Sequence, residues 1–333
     1  MFENRFHNND ISRTSFLVTG GAGFIGSNIV RYLIDNGAGL VRVLDNFATG
    51  YLENIIPYSQ NKNFELKKGD IRNEDDCSEA TKDIDVVFHT AALGSVPRSL
   101  ANPMLTNEVN ASGFVNILFA CHNNGVKRIV FSSSSSIYGL NKDLPVKESY
   151  LPMPISPYAV SKYTNELYAQ VFQRNYGLEF IGLRYFNVFG PNQNINGPYA
   201  AVIPVFINSI LEGKSPVING DGFTSRDFTF VENVVQANVK AALTNNKEAV
   251  NQIYNISGGH MVSLNETFWN IVHRLESNIK PKYGPERKGD IKNSLADISK
   301  AKKLLNYQPT INFEQGMEIT IDWFKEKFVF AEK

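Results

Sequence analysis

The sequence predicts an α/β chain built on a doubly wound parallel sheet, with a smaller C-terminal α/β lobe. Three observations carry this. Short apolar strands alternate with helical stretches through the first half, and a glycine-rich turn joins the first strand to the first helix. Past about Asn187 the rhythm gives way to shorter strands among Gly, Pro and Asn.

The stretch "SFLVTGGAGFIGSNIVRYLIDNG" reads as strand, turn and helix, with Ile25, Ile29 and Leu33 at helical spacing. "LVRVLDN", "FELKKGD", "DIDVVFHTAA", "VKRIVFSSS" and "LEFIGLRYFN" continue the series of strands, and "ASGFVNILFACHNNG" is one of the helical stretches between them. Such alternation calls for right-handed crossovers and helices on both faces of a parallel sheet. "NQIYNISGG" reads as one more sheet strand, so the two lobes are expected to interleave. The larger domain is assigned residues 1–187 and about 229–260, and the smaller lobe about 188–228 and 261–333, with a cleft between them.

Composition excludes several functions. Across 333 residues, 33 Lys and Arg balance 33 Asp and Glu, so no net field draws the chain to nucleic acid or an anionic membrane. Two cysteines, Cys77 and Cys121, without ligand spacing, argue against a disulfide framework or a zinc site, and no metal is expected. "MFENRFHNNDISRTS" lacks the apolar core of a signal peptide, and no apolar run approaches the roughly 20 residues of a membrane helix. A cytoplasmic protein is the expectation.

The turn "TGGAGFIG" holds Gly21-x-Gly23-x-x-Gly26 between strand and helix, and Asp45 ends the next strand. Glycines there let the backbone approach a pyrophosphate, while the helix N-terminus offers N–H donors and a positive dipole end. Asp45 suits the adenosine ribose hydroxyls. It is followed by "NF" rather than arginine, so a ribose 2′-phosphate would face a carboxylate and NAD is expected over NADP. A lone glycine triplet is only a tight turn; strand, turn, helix and acid together make the Rossmann-type dinucleotide fingerprint.

"ISPYAVSKYTNELYAQVF" opens a helix with Ser156 at the N-cap and Pro157 at the first position. Tyr158 and Lys162 then share one face, four residues apart. A nearby ammonium favours phenolate, which is what a tyrosine needs to act as a base near neutral pH. By itself such a pair is an ordinary solvated helix face; beside a dinucleotide fingerprint it reads as chemistry. In "FSSSSSIYG", Ser134 falls at the carboxyl end of a parallel strand, where ligands of such sheets bind, and its hydroxyl can hold the reacting oxygen alongside the tyrosine. Ser132, Ser133 and Ser136 are expected to satisfy backbone groups and shape the turn.

The ordered set "TGGAGFIG", "LDN", "GDIR", "FHTAA", "FSSSSSIYG", "SPYAVSK" and "LRYFNVFGP" resembles the extended short-chain dehydrogenase/reductase superfamily. With "SRDFTFVEN" and "RKGDIKNSLADISKA" added, nearly the whole chain resembles the UDP-sugar 4-epimerases. Within them, "AALGSVPRS" and the "INGDG" and "TSRDF" segments are similar to the bacterial UDP-N-acetylglucosamine 4-epimerases.

The resemblance implies that Tyr158 is the base, that Lys162 tunes it and binds the nicotinamide ribose, and that Ser134 supports proton transfer. It implies NAD binding by Gly20, Gly23, Phe24, Ile25 and Gly26, by Asp45 and Asn46, and by Asn110 and Tyr185. Asp70 and Ile71 would flank the adenine, and Ala91 and Ala92 would line the pyrophosphate path.

For the UDP-sugar, the resemblance implies Asn187 and Arg226, the arginine suited to the diphosphate, with Arg287 and Asp290 as further nucleotide contacts. Val202, Val217 and Asn219 match other substrate positions, and so does Ser136. Ser294 stands where glucose-restricted epimerases carry a bulky tyrosine, and Ala201 where they often carry asparagine. Small side chains there leave room for an N-acetyl group, which Ser95 and Ser135 would hydrogen-bond.

The reaction so implied is C4 epimerisation of UDP-N-acetylglucosamine to and from UDP-N-acetylgalactosamine, with UDP-glucose as a side activity. Arg98 in "SVPRS" keeps the N-acetylated uronic acids open. A 4,6-dehydratase needs an additional acid and base, and its relatives carry carboxylates before the "VYG" equivalent, where Ser135 and Ser136 stand here. A non-catalytic dinucleotide sensor would need the glycine turn without the Tyr158, Lys162 and Ser134 set. A homodimer is implied by the family alone.

Overall fold

The computed structural model describes residues 4–141, 143–194, 201–286 and 292–331. Seven strands form one fully parallel sheet: β1 (Ser15–Thr19), β2 (Leu40–Asp45), β3 (Phe64–Lys68), β4 (Val86–His89), β5 (Arg128–Ser134), β6 (Glu179–Tyr185) and β7 (Gln252–Ile256). Their spatial order is 3-2-1-4-5-6-7. The winding reverses between β1 and β4, which opens a crevice at the carboxyl ends of the strands.

The sheet forms because its strands are apolar on both faces. β1, β2 and β4 are buried almost throughout, as parallel strands covered by helices must be. Helices α1 (Phe24–Asp35) and α5 (Val231–Leu243) share one core with Phe16, Val43, Ile181 and Tyr254. Helices α2 (Glu74–Thr81), α3 (Gly113–Asn123) and α4 (Pro157–Tyr176) contribute to the other, around Leu17, Val87, Phe114 and Phe131. The start of α4 is as its sequence predicts: Ser156 Oγ accepts from Ala159 N at 3.2 Å, and Pro157 occupies the first turn. Gly177, left-handed at φ 73°, ends the helix.

Past β6 the chain builds a third core, of aromatic side chains, among them Phe189, Phe206, Phe228, Phe230, Phe268 and Phe313. Helices Val202–Leu211, Leu264–Arg274 and Phe313–Ala331 surround it. Three two-stranded pairs frame it: Val188–Phe189 with Thr229–Phe230, Ser225–Asp227 with Met261–Ser263, and Val217–Asn219 with Lys282–Gly284. The interleaving goes further than expected, because Ala296, Ile298, Ala301, Leu305 and Tyr307 pack into the core of the main sheet rather than this one. Among the described residues no helix is long and apolar enough to cross a membrane.

Candidate active site

A cleft of about 990 Å³ runs along the carboxyl ends of the strands and under the second lobe. Its first wall is the glycine turn. Gly20 has φ +69°, and a Cβ there would lie 2.7 Å from the Ala91 backbone. At Gly26 a Cβ would fall 2.2 Å from the Gly20 carbonyl oxygen. Only glycine lets the turn close this tightly. Gly23 caps α1 without a side-chain bond, and the first turn of that helix holds no acid, so its N–H donors and dipole end stay available for a phosphate. Phe24, Ile25, Ala91 and Ala92 line the same wall.

Asp45 ends β2 and is buried. Its Oδ2 accepts from Ala22 N at 2.9 Å and its Oδ1 from Phe47 N at 2.8 Å. These bonds fix the carboxylate at the cleft, while burial pushes its pKa up. Beside it, Asn46 donates to Asp70 Oδ2 at 2.7 Å, and Arg72 forks onto both Asp70 oxygens at 3.0 and 2.8 Å. The bond from Arg72 holds the Asp70 carboxyl down at about 2. Asp70, Ile71 and Arg72 all line the cleft. Arg72 was missed by the sequence reading; "GDIR" put it two residues from Asp70, but its fork onto that carboxylate is a matter of the turn. Glycines without room for a Cβ, an open helix end and a fixed carboxylate together fit a dinucleotide.

The candidate reactive set lines the same cleft. Tyr158 and Lys162 of α4, Ser134 at the end of β5, and Tyr185 at the end of β6 all line it. Ser134 Oγ accepts from Ser136 N at 3.1 Å, and its hydroxyl interacts with the Tyr158 phenol. The buried Lys162 Nζ donates to the Ser132 carbonyl at 2.9 Å, and desolvation lowers its pKa to about 8. Desolvation raises the Tyr158 phenol above its ordinary value, and the Ser134 bond pulls it partly back. The expected lowering by the Lys162 ammonium is thus not the governing effect in this state. Spacing on a helix brings the two side chains to one face, but the cost of placing a phenolate in the cleft outweighs it.

The serine run is not a turn throughout. β5 extends to Ser134, and a 3₁₀ turn spans Ser135–Tyr138. Ser132 Oγ donates to the Tyr185 hydroxyl at 3.4 Å, and Ser133 Oγ donates to Glu166 Oε1 at 2.5 Å. These two hydroxyls serve side chains rather than the backbone groups expected, because strand geometry turns them onto opposite faces of the sheet. Ser135 and Ser136 line the cleft. The buried Ser136 Oγ has no hydrogen-bond partner among the described residues.

Toward the second lobe, Asn187, Ala201, Arg226 and Ser294 meet on the cleft wall. Asn187 Nδ2 donates to Asp227 O at 2.9 Å and to Ser294 Oγ at 3.2 Å, and Asp227 N donates to Ser294 Oγ at 3.1 Å. Arg226 Nη1 donates to the carbonyls of Ser225 and Lys292 at 3.0 and 3.2 Å, and Arg98 also lines the cleft. Gln193, unassigned by the sequence reading, lines it with a buried Oε1 that has no hydrogen-bond partner among the described residues; no local pattern marks it.

Several expected contacts stand back from this wall. Asn110 is buried behind it, donating to Leu93 O and Ser161 Oγ and accepting from Leu93 N, so it braces the loop after β4. Ser95 Oγ accepts from Arg98 N at 3.2 Å and caps the helix Val96–Ala101. Val202 begins the helix after Ala201, while Val217 and Asn219 lie on the strand paired with Lys282–Gly284. None of these five lines the cleft among the described residues. Arg287 and Asp290 lie outside the described residues.

A doubly wound nucleotide fold that brings tyrosine, lysine and serine to the ends of its central strands defines the extended short-chain dehydrogenase/reductase class. The chain belongs to the NAD dependent epimerase/dehydratase family, whose model matches residues 16–257, and its cofactor is NAD. It is similar to the UDP-N-acetylglucosamine 4-epimerase of Methanobrevibacter ruminantium, solved in complex with UDP-N-acetylmuramic acid. That likeness has a TM-score of 0.89 and 44% identity, covering 94% of this chain and 99% of that one. A putative UDP-glucose 4-epimerase of Methanocaldococcus jannaschii is 40% identical over 93% of this chain and 98% of its own length. A UDP-glucuronate 4-epimerase of Thermodesulfobacterium geofontis is 34% identical over 93% and 96%.

Proposed function

We propose that this chain is a UDP-sugar 4-epimerase whose preferred pair is UDP-N-acetylglucosamine and UDP-N-acetylgalactosamine. The observation that carries the reading is the convergence of Tyr158, Lys162 and Ser134 on one cleft with the glycine turn on one side and Asn187, Arg226 and Ser294 on the other. Relatives acting on plain, N-acetylated and uronic hexoses support the common reaction, C4 inversion. The choice of sugar rests on Ala201 and Ser294, whose small side chains leave space on the wall, and on the Ser135 hydroxyl, which lines the same cleft.

Gly20, Gly23, Gly26 and Asp45 hold the cofactor, and Asp70 and Ile71 flank its adenine. Bound NAD supplies a reversible hydride acceptor next to the sugar carbon. Tyr158 takes the O4 proton, with Ser134 holding the same oxygen, and gives it back to O4 once the turned 4-keto sugar has accepted the returning hydride on the other face of C4. With the cofactor bound, the cationic nicotinamide would supply a positive charge favouring the Tyr158 phenolate that burial alone disfavours. Arg226 anchors the diphosphate while the hexose turns. Ser135 and Ser136, which lack a carboxylate's basicity, weigh against elimination at C5 and C6.

Incubating the purified protein with UDP-N-acetylglucosamine, UDP-glucose, UDP-glucuronate and UDP-N-acetylglucosaminuronate, with products separated by chromatography, tests this. The N-acetylhexosamine pair should interconvert fastest. A 4-keto-6-deoxy product, or turnover of uronic substrates alone through Arg98, overturns it. We further infer a homodimer, supported by apolar side chains exposed along neighbouring helices: Leu100, Met104, Phe119, Val160, Leu167 and Val171. Sedimentation equilibrium showing only monomer at micromolar concentration removes that part.

A further inference from the structure

Behind the serine loop runs a chain of buried polar groups that the reaction above does not use. Ser133 Oγ donates to Glu166 Oε1 at 2.5 Å. Arg184 forks onto the same carboxylate, Nε to Oε1 at 2.9 Å and Nη2 to Oε2 at 2.8 Å. Arg184 Nη1 donates to the Tyr138 hydroxyl at 2.8 Å, and Tyr138 donates to Asn255 Oδ1 at 2.6 Å. Asn255 Nδ2 then donates to the carbonyls of Val146 and Asp297 at 3.0 and 3.2 Å. The side chains of Arg184 and Glu166 are only 5% and 2% exposed.

Burying both charges sets a large desolvation cost against their attraction, so stability alone explains such a pair poorly. Its placement explains it better. Ser133 directly precedes Ser134 and stands opposite Arg184 in the sheet register, and Tyr185 follows Arg184. Glu166 lies on α4, one turn beyond Lys162 and two beyond Tyr158. Tyr138 closes the 3₁₀ turn that carries Ser135 and Ser136. One carboxylate therefore grips the strand carrying Ser134, the strand carrying Tyr185 and the helix carrying Tyr158 and Lys162.

We propose that Glu166 is the positioning residue of this active site: through Ser133 and Arg184 it sets the distance from Ser134 to Tyr158 and so the ionisation and reach of the phenol. It touches neither cofactor nor sugar. The idea rests on the proposed epimerase reaction only for the choice of product to measure.

The cleanest perturbation is Ser133→Ala, which removes one bond and leaves the ion pair intact, with Ser133→Thr to restore the hydroxyl. In NAD-loaded protein, kcat for UDP-N-acetylglucosamine should fall about tenfold or more in Ser133→Ala, as misplacement of reacting groups by a fraction of an ångström does. KM should stay within about twofold, because the lost bond touches no substrate. The Tyr158 titration, read as phenolate absorbance of each protein minus its Tyr158→Phe counterpart, should move to higher pH, and Ser133→Thr should bring it back. Glu179→Gln, which breaks the half-exposed ion pair with Arg128 at the other end of β6, should leave both readings unchanged. Unaltered kcat and titration in Ser133→Ala, or a change confined to KM, overturns the proposal, as does an equal effect from Glu179→Gln. If the wild type turns over no UDP-sugar, the titration still decides: a shift sustains the positioning role while the epimerase reading fails.

Discussion

The two ends of the cleft are built differently. At the cofactor end, Gly20, Asp45, Asp70 and Ala91 follow one another along the chain, each just past or at the end of a parallel strand, and Gly26 lies in the first turn of the helix after the first. What shapes that end is largely backbone: a Cβ at Gly26 would meet a carbonyl oxygen, and Asp45 is fixed by two backbone N–H groups. At the sugar end, Asn187 and Ser294 touch although 107 residues separate them, and Arg226 arrives on a strand of three residues. Side-chain bonds to Asp227 and Ser294 hold that end together. On the proposed reading, cofactor binding is a property of the sheet, whereas the choice of sugar hangs on a few side chains that can be exchanged singly. The reactive trio stands at the joint.

The largest effect should come from breaking the joint while leaving both ends. Tyr158→Phe removes the group proposed to move the O4 proton and nothing from the glycine turn. General acid–base groups contribute about 10²–10⁴-fold, so kcat should fall by that order. NAD content, measured after release from the denatured protein, should equal that of the wild type. Retained turnover would place the proton with another group, and lost NAD would show that the two ends are not separable.

The same division separates what the sequence makes legible from what it hides. The strand–turn–helix at Gly20–Gly26, Asp45 at the end of β2 and the Ser156–Pro157 start of α4 are local patterns, and each forms as read. The seventh strand was legible because "QIYNI" is an apolar run followed by a glycine pair. The strand "VKRIVFSSS" was legible, but the partners of Ser133 and Ser132 were not, because Glu166 and Tyr185 lie 33 and 53 residues away. Ser95 reads as a substrate contact by likeness but spends its oxygen on a helix cap. Spacing predicted that Tyr158 and Lys162 share a face; it carries no information on how much water either side chain loses.

A sharper test of the sugar end is Ser294→Tyr, which places bulk on the wall opposite the proposed acetamido position. Misfit of even one extra carbon in a pocket costs about 10–200-fold. The kcat/KM for UDP-N-acetylglucosamine should drop within that range, while UDP-glucose changes about threefold or less. Ser294 Oγ also accepts from Asn187 and Asp227, so Ser294→Ala is the companion: it removes those bonds without adding bulk and should affect both sugars alike. If Ser294→Tyr lowers both substrates together, size at this position does not select the sugar.

The smallest effect should come from the frame behind that wall. Asp227 is fully buried; its Oδ1 accepts from Gly259 N at 3.1 Å and its Oδ2 from Ala296 N at 3.0 Å, tying two segments to the strand that carries Arg226. Burial raises its pKa to about 6, against the opposing pull of these bonds, Ser257 and nearby His260. Below pH 3.8 the group is protonated in both folded and unfolded chains. Between about 4 and 6 the folded protein keeps a proton that the unfolded chain has released, so stability from this group is lost as pH rises through that window. The full loss is about 3 kcal/mol, since one pKa unit corresponds to roughly 1.4 kcal/mol. Asp227→Asn abolishes the titration but turns an amide N–H toward the Ala296 N–H, breaking that bond. Melting temperature should therefore change differently with pH from the wild type between pH 4 and 6, and alike above it. His89, whose pKa burial lowers to about 3, makes the wild type lose stability as pH falls below about 6.5, but it is common to both proteins and cancels in the comparison. One neutral hydrogen bond is worth about 1 kcal/mol, so loosening Ala296 should raise KM for the UDP-sugar roughly fivefold and leave NAD content untouched. Parallel melting curves across the whole pH range would remove Asp227 as the titrating brace of the sugar end, and a fall in NAD content would join the two ends that the architecture keeps apart.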